Sequence, residues 1–199
     1  MKIIPAILIS CAIVLTAATA SADIEENLSR IDKKIYKVDT DNYSIATTVS
    51  KQFAYRIADH MEEIHKEFRN RLSNIFGRED VEKFRVLVFD ERENYIRTLG
   101  DKVSGSAGIF MSREQLLAGF VGERPPSALF KTLYHEGFHQ FVYHYLGPNC
   151  PVWLNEGMAQ YFSEATWTGN GYRVGEIPPH RIHTLKSEWD RKNWMPFNT

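Results

Sequence analysis

His135-Glu136-Gly137-Phe138-His139 is the stretch whose reading decides the fold. On a helix, residues four apart lie on one face, one turn from each other, so the two imidazoles stand side by side. That spacing lets both rings reach one zinc ion at about 2.0–2.1 Å. Glu136, beside the first histidine, can reach a water on that metal, so the pattern holds two ligands and a carboxylate base. Zinc held by two histidines needs a third protein ligand and an open position. Downstream comes Trp153-Leu154-Asn155-Glu156-Gly157-Met158-Ala159, with residues 140–155 between His139 and Glu156. Glu156 is free to be that ligand.

The flanking residues place both segments on helices. Pro125-Pro126-Ser127 opens the first helix, and Gly147-Pro148 stops it after Leu146. Leu129, Leu133, Phe138, Phe141, Val142 and Tyr145 supply its buried surface. Asn149-Cys150-Pro151 is a tight connector, and a second helix starts at Pro151 or Val152 and runs to about Thr166. Two helices joined by so short a link fold back on each other, which brings Glu156 up to the histidines. Further upstream, Phe53, Ile57, Met61, Ile64, Phe68, Leu72 and Ile75 recur at spacings of three and four, predicting a helix from Ser50 to Phe76 that ends at Gly77. His60 and His65 lie on it with no acidic motif around them and read as solvated or packed. Phe84 to Phe89 is an apolar run bounded by charge, hence a buried strand, and Asp90 can cap a short helix through Leu99. The glycines of Ser104 to Met111 indicate a turn and a close backbone approach, then a strand. Gln115 to Val121 reads as a further strand, with helix as the alternative. Residues 23–49 are mixed, with short strands at Tyr36–Asp39 and Tyr43–Val49. Gly169 to Gly175 reads as a loop and Arg181 to Lys192 as a helix.

The chain has 199 residues, enough for one domain with a core. Its 43% hydrophobic and 13% aromatic content excludes a disordered chain. A net charge of −1, with acids and bases interspersed, argues against a nucleic-acid partner or a polybasic membrane surface. Residues 1–22 read as a signal peptide: Lys2, an apolar stretch from Ile3 to Ala20, then Ala20-Ser21-Ala22 as a cleavage site. The expectation is an exported protein, periplasmic or secreted, with residues 23–199 as its single domain and no stable membrane span after cleavage. A retained membrane anchor and a lipoprotein box at Leu8-Ile9-Ser10-Cys11 are the alternatives. After cleavage only Cys150 remains, so no disulfide forms within the chain; it reads as a buried spectator. Met195-Pro196-Phe197-Asn198-Thr199 has no charged or capped ending, and the expectation is a truncation there.

His135-Glu136-Gly137-Phe138-His139 followed by Trp153 to Phe162 resembles the gluzincins, zincin metallopeptidases whose third ligand is a glutamate on the following helix. The order of elements over residues 50–190 resembles the peptidase-MA-like group of exported bacterial proteins. The resemblance implies an α+β, zincin-like fold, a small mixed β-sheet packed on the active-site helix. It implies His135, His139 and Glu156 as ligands of one Zn2+ ion and Glu136 as catalytic base. It implies that the Gly108–Met111 strand is the sheet edge on which an extended peptide substrate pairs. Two departures stand out. The interval before Glu156 is shorter than in thermolysin-like members, and Gln160 sits where those members carry an acidic partner for a ligand histidine, a place where its carbonyl could accept that N–H.

The reaction expected is peptide hydrolysis, with Glu136 moving a proton from water to the leaving amine. Tyr161, Tyr143, His144, His180 and His183 are the candidates for a further oxyanion donor. Tyr161 is expected to pack and His144 to point away from the metal face. An inactive zinc-binding module that captures peptides and an amidase acting on cell-wall material are the alternative functions.

Overall fold

The computed structural model describes residues 23–74 and 82–192. The segment 1–22, Gly77 and the ending at 193–199 lie outside the described residues, and the helix expected to run to Phe76 ends at Arg71 instead, where the Leu72 N–H makes the last bond to the Phe68 carbonyl at 3.0 Å. The fold is α+β, with a five-stranded mixed sheet and six helices among the described residues.

The elements in order are α1 (residues 23–29), β1 (Tyr36–Asp39), β2 (Tyr43–Thr47), α2 (Lys51–Arg71), β3 (Phe84–Phe89) and α3 (Arg92–Leu99). Then come β4 (Gly108–Met111), β5 (Leu116–Phe120), α4 (Pro126–Leu146), α5 (Val152–Ser163), β6 (Thr166–Trp167), β7 (Tyr172–Arg173) and α6 (Pro179–Asp190). The large sheet runs β1-β2-β3-β5-β4, with β2, β3 and β5 parallel and the two outer strands antiparallel to their neighbours.

The apolar run of β3 is explained by burial on both faces. Val86 and Val88 join the core under α2, α4 and α5, whereas Leu87 and Phe89 join a second core with Ile24, Ile31 and Tyr95. The helix α2 starts where Ser50 caps it, its Oγ accepting from Phe53 N at 3.1 Å. Its Ile57, Met61, Ile64 and Phe68 are fully buried. His65 is packed as expected, its Nδ1 at 3.2 Å from the Tyr43 hydroxyl.

Four details differ from the sequence reading. Residues 23–29 are helical, because Ile24 and Leu28 cover the sheet face opposite α2. Asp90 does not act as the cap of α3, whose N-cap is Glu91. Its Oδ1 accepts instead from Thr48 Oγ1 at 2.8 Å and from Glu91 N at 2.9 Å, tying the end of β3 to the loop after β2. The helix α5 stops at Ser163, short of Thr166. The stretch read as a loop contains β7, paired with β6, because the Tyr172 hydroxyl reaches that of Tyr134 at 2.7 Å and His60 Nδ1 at 3.1 Å.

Candidate metal centre

Two close approaches set the position of α4. At Gly137, a Cβ would lie 3.0 Å from Met61 Cε of α2. At Gly108, a Cβ would lie 2.6 Å from Thr132 Cγ2 and 2.9 Å from the Ala118 carbonyl oxygen, so only glycine lets the edge strand β4 come this near. One face of α4 buries Leu129, Phe130, Leu133, Phe138 and Phe141. The other carries His135, Glu136, His139 and Tyr143 toward β4 and α5.

Gly147 ends α4 with φ of 61°, and a single 3-10 turn over Gly147–Asn149 reverses the chain into α5. The return is held by Phe162, stacked on Phe138 at 5.1 Å between ring centres and edge-on to Phe68 at 4.7 Å. This antiparallel packing sets Glu156 opposite the histidines. His135 Nε2 and His139 Nε2 are 3.2 Å apart. Glu156 Oε2 is 3.5 Å from the first and Oε1 is 3.5 Å from the second. The three residues form a group that could hold a metal ion.

Each partner orients these side chains. His139 Nδ1 is 3.0 Å from Asn155 Oδ1, which presents Nε2 to Glu156. Burial lowers the pKa of His135, reinforced by His139 and Arg181 and opposed by Glu156 and a backbone hydrogen bond with Ala159. Its imidazole is therefore neutral near pH 7, the form that binds a metal. Glu136 accepts from Phe110 N of the edge strand at 2.9 Å through Oε2. Burial raises its pKa, with Glu156 adding to the rise and the Phe110 N–H and His139 opposing it.

The other residues named from sequence separate clearly. Tyr143 lines the cavity that contains His139 and Glu156, its ring 5.7 Å from that of Phe110. Tyr161 packs at the core margin, its hydroxyl 3.5 Å from Arg71 Nη1. His144 lies against Phe84 and Tyr145 and not in the group of His135, His139 and Glu156. His180 and His183 are exposed on α6. Gln160 does not serve a ligand histidine: its Nε2 donates to Ser163 Oγ at 2.7 Å, and Asn155 takes the role expected of it. Cys150 is half-exposed on the wall beside Glu156 rather than buried. Sequence reasoning missed Asn155 although it precedes Glu156 directly. It also missed Lys131, Glu164 and Arg181, a cluster assembled from three helices or helix ends with no local pattern.

No family model matches the chain, and no similar curated protein was found.

Proposed function

We propose that the protein is an exported zinc metallopeptidase of the gluzincin type, with a zincin-like fold and His135, His139 and Glu156 as ligands. The observation that carries this reading is the spacing of the donor atoms. A tetrahedral zinc ion with bonds of about 2.0–2.1 Å sets its ligand atoms about 3.3 Å apart. Here the two Nε2 atoms are 3.2 Å apart, each lies 3.5 Å from a different oxygen of Glu156, and one donor atom from each residue falls within 4.8 Å of the others, so a small turn of the carboxylate brings one oxygen to the third corner. The donor chemistry, two imidazole nitrogens and one carboxylate, is that of a catalytic site with one position left open. Zinc, when bound, supplies Lewis acidity that lowers the pKa of a coordinated water toward about 7.

Glu136 is the base in this reading. Its carboxylate takes a proton from the attacking water and passes it to the leaving nitrogen as the C–N bond breaks, while the hydroxyl joins the acyl carbon. The Phe110 N–H fixes one of its oxygens, so the other is aimed by the same contact. The strand β4 lies at the sheet edge, and an extended peptide would add to it. Tyr143 is the donor candidate that lines the same cleft as His139. Export is proposed from the signal-like residues 1–22; among the described residues no helix is long and apolar enough to cross a membrane.

The deciding experiment compares the parent protein with Glu136→Gln for zinc content and for cleavage of a mixed peptide library. One zinc in each and cleavage by the parent alone is the expected result. Absence of zinc from both would sink the ligand assignment, and zinc without cleavage in the parent would sink the peptidase assignment.

A further inference from the structure

Beside His135 and Glu136 lies a cavity of about 360 Å³, walled by Lys131, Thr132, Gln160, Ser163, Glu164 and Arg181. Glu164 is shared by two cations. Its Oε2 is 2.6 Å from Lys131 Nζ, and its Oε1 is 3.1 Å from Arg181 Nη2 and 3.3 Å from Arg181 Nε. The carboxylate side chain is only 11% exposed, against 55% for Lys131 and 39% for Arg181. The cluster therefore carries one net positive charge, and its cations are the accessible part. Thr132, Gln160 and Ser163 add neutral polar groups to the wall, and Glu136 adds a carboxylate beside His135.

A second cavity lies on the other side of the ligands, walled by Phe110, Val142, Tyr143 and Pro148 beside His139 and Glu156. The direction of the edge strand relates the two. Gly108, at the start of β4, borders the cationic cavity, and Phe110, near its end, borders the aromatic one. A peptide pairing antiparallel to β4 would enter at the aromatic side and leave at the cationic side. Glu136 lines the cationic cavity, which is where the base must meet the leaving nitrogen.

We propose that the cavity between α4, α5 and α6 receives the leaving-group half of the peptide, and that Arg181 and Lys131 select a carboxylate there. The carboxylate is either an acidic side chain just after the cut bond or the free C-terminus of a short leaving fragment. This rests on the peptidase reading above. A guanidinium can meet a carboxylate with two parallel N–H bonds, which favours Arg181 as the principal contact. Glu164 tunes the site by offsetting one of the two positive charges.

The test uses the zinc-loaded full chain and matched decapeptides with Glu or Gln directly after the cut bond. A second arm uses peptides that end two residues after it, as acid or amide. The expected result is about tenfold higher kcat/KM for the carboxylate member of at least one arm, the size of one charge-assisted contact. Arg181→Gln should abolish that preference, bringing kcat/KM for the carboxylate and neutral members of each pair to the same value. Glu164→Gln should enlarge it, an opposite change that a merely structural role would not produce. Added salt should shrink it. Cleavage with equal rates for both members of both arms overturns the subsite while leaving the peptidase reading intact. Binding of the same labelled peptides to zinc-loaded Glu136→Gln is read in parallel. Carboxylate-dependent binding that Arg181→Gln removes, without cleavage by the parent, keeps the subsite and overturns the peptidase. Neither binding nor cleavage that depends on the carboxylate overturns the subsite.

Discussion

Acid should weaken this fold through His65, a buried imidazole on α2. Its ring sits among Tyr43, Phe84 and Phe141, and burial lowers its pKa to about 4. Glu62 works against that shift, and Arg69 and His144 reinforce it. The unfolded chain titrates near the ordinary value of about 6.5. Between those two values the unfolded state binds a proton that the native state refuses, so stability falls as pH falls. The contribution is fully present above about pH 6.5 and is lost progressively down to about pH 4. A difference of roughly 2.5 units, at about 1.4 kcal/mol each, amounts to about 3 kcal/mol. The assay is urea unfolding at pH 7, 6, 5 and 4, with chelator present so that metal binding does not enter. The comparison is the double variant Tyr43→Phe, His65→Phe, which removes both partners of the 3.2 Å contact and leaves no orphaned hydroxyl. The parent should lose about 3 kcal/mol more than the variant between pH 7 and 4. Parallel curves for the two proteins would refute the reasoning.

Three further outcomes follow from the site and its supports. Asn155→Ala removes the group that orients His139, and zinc affinity measured by competition with a chelating dye should fall by about 10–100-fold. Gly108→Ala puts a methyl group against Thr132 and the Ala118 carbonyl, at 2.6 and 2.9 Å, and should cost roughly 1–3 kcal/mol in urea unfolding. Gly119→Ala, whose nearest contact is a Leu129 methyl at 3.3 Å, should cost less. Zinc at about a hundred times its dissociation constant should stabilise the parent by about 2.7 kcal/mol, and should do nothing for His139→Ala if that residue is a ligand.

The sheet and the two site helices were legible because their signals are local. Phe84 to Phe89 is apolar on both faces because both faces are covered, and Gly147 and Pro148 end α4 as their backbone chemistry requires. The pairing of His135 with His139 was legible because the i, i+4 spacing survives any helix placement, and Glu156 joins them because the short turn at Gly147–Asn149 folds α5 back on α4. What escaped was set by tertiary contact. Residues 23–29 carry mixed polarity, and they are helical because Ile24 and Leu28 find the open face of the sheet. Nothing near Tyr172 signals a strand; its pairing follows from hydroxyl contacts to Tyr134 and His60, which lie far away in sequence. The position of Gln160, four after Glu156, only suggests that its carbonyl could accept from one of the site histidines. Its Nε2 donates to Ser163, three residues on, and the partner that the structure gives His139 is Asn155, whose Oδ1 lies 3.0 Å from Nδ1.

The contact between Glu136 and Phe110 joins the proposed base to the strand proposed to bind substrate. In the antiparallel pairing of β4 with β5, Phe110 stands opposite Leu117, yet its N–H turns to the open edge and meets Glu136 Oε2 at 2.9 Å. That N–H is one of the few donors an added strand could use. A peptide on β4 and the orientation of Glu136 are therefore coupled through one amide proton. Hydrogen exchange at Phe110 reads the coupling directly. A charge-assisted bond of about 1.5–3 kcal/mol corresponds to roughly 10–100-fold protection. Glu136→Ala should speed exchange at Phe110 by about that factor and leave the amides that pair β4 with β5 unchanged. Glu136→Gln keeps an acceptor oxygen and should retain part of the protection. Fast exchange at Phe110 in the parent itself would mean that the edge strand does not hold the base, and that the two are positioned separately.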